Sequence, residues 1–597
     1  MSNYSKYKER TPQETIYEIH RILNDIGLFT VQSWLDDAYD GARSCRVTIY
    51  PTALGTNGKG TDVLYSTASG YAELMERLSN NLLAIRDEAD TLKDDVGFYH
   101  FPDEKMISVE EIAASPDPFT EFVFSEAGLS DFARTALLHK YCRIYGIKDK
   151  MLPCVPFADP ASGTVRYVPF KLAMQATGSN GMAAGNTLDE AMVQGLSEIF
   201  EREASRRILK GEAIPPVIPV EEVKKYSFYS LIREVEKDGR FRVTLYDLSM
   251  GRGWPVAGSC ITDLTTGNFG MKLGAHPSFA VSVERTLTEA LQGKNIEYFA
   301  NSCRVGTVQE STGIDNIPNV GKTGDGIYPL DLFGGKPDWE YKPWTHREGL
   351  DNKGFLAEMV QILKAEGLHP LFRDTSFLGF PSCFIIIPSF SDLFPIGKTG
   401  LRAWNTWHRS MASWNSFPEI SDEEELRILK LIRFKEYSIL ENQISLLTGR
   451  QLSDTFNSFK VAAFIALKHG KYEVSRHFFD IMAQLAKDEK EKLCYRAMCR
   501  YLRLRDQGAE HDMALQAVKS FTTEEIAERI ENDTSDLSTV LKRNFPRLHC
   551  YDCKACPLAG TDCTYPDTRE IFVKAARAMK EENVDQDKLL EELVEMW

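Results

Sequence analysis

The chain has 597 residues, more than a single compact core usually holds, which predicts a large domain with one or two smaller ones. Hydrophobic residues make up 43% and charged residues 26%, the balance of an ordinary folded protein and not of a disordered one. Lys and Arg total 70 against 86 Asp and Glu, and the net charge of -16 argues against DNA binding through the phosphate backbone while leaving room for a basic protein partner.

The opening MSNYSKYKERTPQETIYEIHRIL lacks the apolar core of a signal peptide, and no apolar run reaches membrane-spanning length. A soluble, cytoplasmic protein with no membrane contact is expected. Eight cysteines are scattered singly, as in reduced cytosolic proteins. From the start to about residue 415, short β-branched runs alternate with amphipathic stretches, the pattern of a mixed α/β (α+β) domain. Strands are expected at SCRVTIYPTAL, VTLYDL, VAGSCIT and SCFIIIPS.

Two helical stretches echo each other. GTNGKGTDVLYSTASGYAELMERLSNN begins at Gly55 and TGSNGMAAGNTLDEAMVQGLSEIFERE at Thr177, and each runs from a loop of the form [Ser/Thr]-Asn-Gly to Glu-x-x-Glu-Arg. At helical spacing the first places Ser69, Glu73, Glu76 and Arg77 on one face and Tyr71, Leu74, Met75, Leu78 and Leu82 on the other. The second gathers Glu190, Gln194, Glu198, Glu201 and Arg202 opposite Met192, Leu196, Ile199 and Phe200. A third segment, FAVSVERTLTEALQGKN, groups Arg285, Glu289 and Gln292 opposite Val283, Leu287 and Ala290.

One such face is commonplace on a solvated helix; three of matching composition point to a site. Clustered carboxylates repel unless a cation lies between them, and oxygen-only ligands suit Mg²⁺. Arginines beside such an ion would grip phosphate as bidentate forks. With the Gly-Lys-Gly loop, the pattern suggests a nucleoside triphosphate site. It is not a P-loop: the triplets Gly321-Lys322-Thr323 and Gly397-Lys398-Thr399 carry Asn316 and Asp392 where the upstream glycine is required. A di-iron site would want Glu-x-x-His pairs, and both pairs here are Glu-x-x-Glu.

Between Cys303 and Trp344 the chain is rich in Gly, Pro and Asp and without a period, which suggests a surface insertion or a lid. Beyond Ser421 strand signals nearly vanish. AAFIALKHGKYEVSRHFFDIM has the two-helix grammar of a tetratricopeptide unit, without a clean repeat, and suits a partner-facing or dimerising domain. Near the end, Cys550, Cys553, Cys556 and Cys563 are spaced C-x2-C-x2-C-x6-C, with His549 before them and Pro557 within. Such spacing points to a metal, either structural zinc or an iron-sulfur cluster. The expected organisation is a domain over 1–418, an all-α tetratricopeptide-like domain over 419–535 and a Cys-cluster tail over 536–597.

Taken in order, TNGKG with Ser69, Glu73, Glu76 and Arg77, then SNGMAAGNTLDEA with Gln194, Glu198, Glu201 and Arg202, then GAHPSFAVSVERTLTEALQG and IIIPSFSDLFP, resemble the YcaO family. The resemblance implies ATP and Mg²⁺ as cofactors. It implies Mg²⁺ ligation by Glu73, Glu76, Glu198 and Glu201, and phosphate contacts from Arg202 and Arg285. Ser69, Arg77, Asn186, Glu190, Gln194, Glu289 and Gln292 would line the rest of the nucleotide pocket, and Lys8 and Thr15 are weaker N-terminal candidates. The implied activity is phosphorylation of a backbone amide in a peptide or protein, resting on positioning and charge stabilisation without a covalent protein nucleophile.

Azoline-forming members end in a Pro-x-Pro-x-Pro tail, whereas this chain ends LLEELVEMW. A YcaO-type domain followed by tetratricopeptide-like helices looks instead like the branch serving as accessory factors for β-methylthiolation of an aspartate in a small-subunit ribosomal protein. That implies a ribosomal substrate, a radical-SAM methylthiotransferase partner and a homodimer. The alternatives are a non-catalytic scaffold for that methylthiotransferase and a peptide thioamide- or azoline-forming cyclodehydratase.

Overall fold

The β-branched run after Arg43 pairs on both sides, and from there the first of three sheets is built. In the computed structural model, Thr30–Leu35, Arg43–Ile49 and Gly55–Gly60 form an antiparallel meander, with Val47 opposite Thr56. The structure describes residues 7–35, 43–52, 54–83, 100–144, 150–290, 295–313, 316–394, 413, 416–433, 458–486, 488–545, 547, 554–556 and 565–597. It divides into two units, one of Met1–Tyr50, Leu54–Gly400 and Ile571–Trp597, the other of Pro51–Ala53 and Leu401–Glu570.

The helix Val63–Ser79, capped by Asp62, buries Tyr71, Leu74, Met75 and Leu78 on the first sheet. A second sheet runs Gly326–Pro329, Cys303–Gly306, Phe269–Ala275, Val256–Asp263, Phe241–Asp247, antiparallel apart from its first pair. The third orders Lys105–Ser108, Met151–Asp159, Leu371–Asp374, Ser382–Ile386 and Met182–Ala184, with Thr164–Pro169 also on Met151–Asp159. The helix Leu188–Leu209 packs against strands of both larger sheets. That explains why its apolar residues extend beyond one face: Ala191, Val193, Ala204 and Ile208 are buried along with Met192, Leu196, Ile199 and Phe200.

Two expectations are corrected. Thr56-Asn57-Gly58-Lys59-Gly60, read as a loop, is strand. Its glycines serve close approach: a Cβ on Gly58 would stand 1.9 Å from the Ser66 carbonyl oxygen and 2.3 Å from the Gly70 nitrogen of the helix that follows. Only the second [Ser/Thr]-Asn-Gly is a turn, where Gly181 takes φ +87 and a Cβ would meet the Ile385 carbonyl at 2.1 Å. The stretch from Cys303, expected to be an aperiodic insertion or lid, holds the edge strand Gly326–Pro329 of the second sheet and its neighbour Cys303–Gly306, separated by the short helices Val308–Ser311 and Asn316–Thr323. Strands of four residues are too short to show a period.

The second unit is helical among its described residues. Ser458–Lys468 and Tyr472–Leu485 pack together across a turn at Gly470, φ +66, and Glu489–Asp506, His511–Lys519, Glu524–Ser535 and Leu537–Asn544 follow. Its core joins Ile428, Phe464, Phe478, Met498, Leu502 and Phe545. Residues 571–597 return to the first unit. There the helix Gln586–Met596 buries Leu589 and Leu593, and the Gln586 amide accepts from the Asp374 nitrogen (3.0 Å) and donates to the Asp374 carbonyl (2.7 Å). No helix among the described residues is long and apolar enough to cross a membrane.

Candidate functional site

Each acidic face is positioned by a local device. In Leu188–Leu209 the Thr187 cap accepts from the Glu190 nitrogen (3.2 Å), which fixes the first turn and sets Gln194, Glu198 and Glu201 in line below it. In Phe279–Ala290 the Ser282 hydroxyl donates to the Gly274 carbonyl (2.7 Å) and accepts from the Ala257 nitrogen (3.1 Å), pinning the helix to its sheet just before Arg285 and Glu289. In Val63–Ser79 the glycine contact with strand Gly55–Gly60 sets the depth at which Ser69, Glu73, Glu76 and Arg77 sit.

The three faces meet around one cavity of about 380 Å³. Its walls contain Ser69, Glu73, Glu76 and Arg77, then Asn186, Glu190, Gln194, Glu198, Glu201 and Arg202, and finally Arg285 and Glu289. Twelve of the thirteen residues expected at the ATP and Mg²⁺ site are thus brought together; the other, Gln292, lies outside the described residues. So do Cys550, Cys553 and Cys563, while Cys556 is described and half-buried. From Glu190 to Glu201 the cavity follows about 16 Å of helix, at about 1.5 Å per residue, long enough for an extended nucleotide.

At the Glu190 end the site is hydrogen-bonded and neutralised. Lys8 Nζ lies 2.8 Å from Glu190 Oε1, the Glu9 nitrogen donates to Oε2 (3.2 Å), and Asn186 Nδ2 reaches both oxygens. Thr15 Oγ1 donates to Asn186 Oδ1 (2.8 Å), so both weaker N-terminal candidates reach the site. Burial pushes the Glu190 carboxyl up, but Lys8 and these donors outweigh it and hold the group below its usual value.

At the other end acids outnumber their partners. Arg77 spans Glu73 (3.3 Å) and Glu76 (3.2 Å), Arg202 lies 3.6 Å from Glu198 and donates to the Gly321 carbonyl, and Arg285 donates to Gln194 Oε1. Burial pushes Glu76 well above the carboxylate range; Arg77 opposes this, and the Glu198 and Glu73 carboxylates add to it. Glu201 is pushed up by burial and by Glu289, against Arg202, Arg285 and Lys59. For Glu289 itself burial is outweighed by Lys59, Lys272 and Arg285, and the carboxyl stays below its usual value.

Such a cluster fits a divalent cation and phosphate. Oxygen-only donors crowded near one another become ligands when a dication lies between them and offsets their repulsion. The Nε atoms of Arg202 and Arg285 are buried without a hydrogen-bond partner among the described residues, donors of the kind a phosphate oxygen satisfies. A second acidic group, Asp422, Glu425 and His469, does not compete, because the Lys468 ammonium already sits 3.0 Å from Asp422 and 2.8 Å from Glu425.

Residues 57–391 match the family model for YcaO cyclodehydratases, ATP- and Mg²⁺-binding. The chain belongs to the YcaO family. It is 29% identical over 401 residues to the ribosomal protein S12 methylthiotransferase accessory factor YcaO of Escherichia coli strain K12, covering 65% of this chain and 66% of that one. It is 29% identical over 352 residues to an uncharacterised protein of Haemophilus influenzae, covering 57% and 58%. The two matches span 66% and 58% of their relatives' length, each less than two thirds. Among solved structures it is similar to a heterocyclase in complex with substrate and cofactor, at 16% identity and TM-score 0.44 over 64% of this chain and 53% of that one. It is also similar to YcaO from Methanopyrus kandleri bound with AMPPCP and Mg²⁺, at 16% identity and TM-score 0.39 over 66% and 94%.

The walls of this YcaO cavity also include Lys59, from the Gly-Lys-Gly stretch, and residues that pattern reading passes over: Tyr7, Tyr65, His276 and Asn352. Asn352 Nδ2 donates to the Tyr7 carbonyl (3.1 Å) and to Glu9 Oε1 (2.8 Å), holding the N-terminal segment on the cavity. His276 Nδ1 accepts from the Ser278 nitrogen (2.9 Å), and burial, with Arg285, Lys8 and Arg347, pushes the imidazole well below its usual value, so it is neutral. His276 stands inside the family stretch GAHPS, a signal that could have found it; Asn352 carries none.

Proposed function

We propose that the chain is an ATP- and Mg²⁺-dependent enzyme that activates a backbone amide of a peptide or protein by phosphorylation. We assign it to work as an accessory factor in β-methylthiolation of an aspartate in a small-subunit ribosomal protein, beside a radical-SAM methylthiotransferase. The observation that carries the nucleotide part is the convergence of Glu73, Glu76, Glu198 and Glu201 with Arg77, Arg202 and Arg285 on one cavity. In this reading the four glutamates hold Mg²⁺, and Ser69, Arg77, Asn186, Glu190, Gln194, Arg202, Arg285, Glu289 and Gln292 hold the nucleotide.

Bound ATP would supply the phosphoryl group that captures the amide oxygen. The chain's own part is to align the phosphates with the buried guanidinium donors, keep water out and oppose the charge that develops as the oxygen is captured. The test is ATP turnover by the full chain with and without peptide substrate: Glu76→Ala and Glu201→Ala should lose it, and normal turnover by either would remove the assignment.

The accessory role is supported by the name of the Escherichia coli relative and by the helical second unit. That same name supports a second reading, a scaffold that recruits the methylthiotransferase and needs no nucleotide. A cyclodehydratase forming thioamides or azolines is the third, supported by the description of the family model. Calorimetry separates the first two, because a scaffold need not show Mg²⁺-dependent ATP affinity, and intact-mass comparison of small-subunit ribosomal proteins with and without this chain separates the third: an unchanged aspartate modification points to a peptide substrate. The functional division carried with this proposal is the YcaO-type domain over 1–418, a tetratricopeptide-like homodimerising domain over 419–535 and a tail over 536–597, in a cytoplasmic protein. In the tail, Cys550, Cys553, Cys556 and Cys563 would hold zinc or an iron-sulfur cluster, and metal analysis after anaerobic purification, with an absorption spectrum, decides which.

A further inference from the structure

Lys59 is a cation in the wall of the cavity that the three helical faces do not supply. Strand alternation turns Gly58 and Gly60 toward the helix Val63–Ser79 and Lys59 the other way. A Cβ on Gly60 would stand 2.5 Å from the Ser66 nitrogen, so the backbone on either side of Lys59 is held against that helix. The lysine therefore extends from a fixed base, and its ammonium pairs with Glu289 on Phe279–Ala290. Its side chain is 31% exposed, whereas that of Glu289 is 12% exposed, which puts the carboxylate deeper than the cation that caps it.

The cavity has a direction. Its Glu190 end is satisfied by Lys8, Asn186, Thr15 and the Glu9 nitrogen, while its Glu198 and Glu201 end gathers the crowded carboxylates. Cation-bridged phosphates belong at the crowded end, and Lys59 is there, close enough to act on both Glu201 and Glu289. Glu289 does not depend on Lys59 alone, because Lys272 and Arg285 also act on it. Lys59 can turn from Glu289 toward an incoming phosphate without stranding a buried charge.

We propose that Lys59 grips the terminal phosphate of the bound nucleotide, exchanging Glu289 for a phosphate oxygen, and so makes the site prefer a nucleoside triphosphate over a diphosphate. This rests on the nucleotide-site reading above. A lysine does this as a point charge on a flexible stem, which suits a group that must change partners.

Calorimetric titration of the full chain with ADP and with a non-hydrolysable ATP analogue, both with Mg²⁺, tests it. The wild type should bind the triphosphate more tightly. Lys59→Met should lose about tenfold in triphosphate affinity, the order expected for one charge-assisted contact, while ADP affinity stays within about twofold. Lys59→Gln, which removes the charge and keeps an N–H donor on a shorter side chain, should read the same and replaces Lys59→Met if that variant does not fold. An unchanged preference, or equal weakening of both ligands, would overturn the proposal. A wild type that binds neither nucleotide would instead remove the nucleotide-site reading beneath it.

Discussion

Burial makes Glu76 and Glu201 costly as carboxylates, and neighbouring acids add to the cost. A carboxyl whose folded pKa lies above its unfolded value binds its proton more tightly in the native state. The stability this contributes is present below the ordinary 4.5 and is lost as pH rises through the raised folded value. Without metal, the thermal midpoint should therefore fall as pH is raised from mildly acidic through neutral. Glu201→Gln, which cannot ionise, should flatten that fall and, above neutrality, exceed the wild type in unfolding free energy by roughly 1–3 kcal/mol, the scale of an unsatisfied buried group. Added Mg²⁺ should raise the wild-type midpoint there and leave Glu201→Gln nearly unmoved. A wild type and variant with parallel pH profiles would show that Glu201 is not the strained group. At this scale the acids were legible because each repeats on a helical face, as Glu73 and Glu76 do; Lys59 was marked only by its flanking glycines, and Asn352 acts singly from a helix start, where no period marks it.

The contact between strand Gly55–Gly60 and helix Val63–Ser79 sets where one carboxylate pair stands. Gly58→Ala has no room for its methyl beside the Ser66 carbonyl at 1.9 Å, so the helix must lift. The expected cost is about 1–3 kcal/mol, with a loss of Mg²⁺-dependent ATP affinity that persists at temperatures where the variant is still folded by circular dichroism. Retained affinity would mean the pair does not need that depth. The C-terminal helix makes a different claim: Leu593 is 1% exposed in the first unit's core, so Leu593→Ala should lower the unfolding free energy of that unit by about 2–5 kcal/mol. A loss under about 0.5 kcal/mol, ordinary for surface substitutions, would contradict that docking. Neither feature reads easily from sequence. Glycines in TNGKG look like a loop because the helix that needs their missing side chains is seen only in three dimensions. The strands Cys303–Gly306 and Gly326–Pro329 are hidden by turn-forming neighbours and by their own brevity. By contrast SCFIIIPS and VAGSCIT announce buried strands, because long apolar β-branched runs have few other uses.

Over the whole molecule the net charge of -16 coexists with a cavity whose far end sets Glu73, Glu76, Glu198, Glu201 and Glu289 against Lys59, Arg77, Arg202 and Arg285, so the site should respond to divalent cations far more than to monovalent salt. The order of the motifs along the chain carries the family, and the cavity gathers three helices that begin more than two hundred residues apart at the extremes, Val63–Ser79 and Phe279–Ala290. Sequence could state that those faces belong together by composition; only the fold states that they share one space. The most direct test is calorimetric titration of ATP into the full chain, with Mg²⁺ and then with chelator, for the wild type, Glu76→Ala and Glu201→Ala. Binding should require Mg²⁺ in the wild type and weaken at least about tenfold in each variant. Binding that ignores both the metal and the substitutions would contradict a Mg²⁺-nucleotide site at the convergence of these helices.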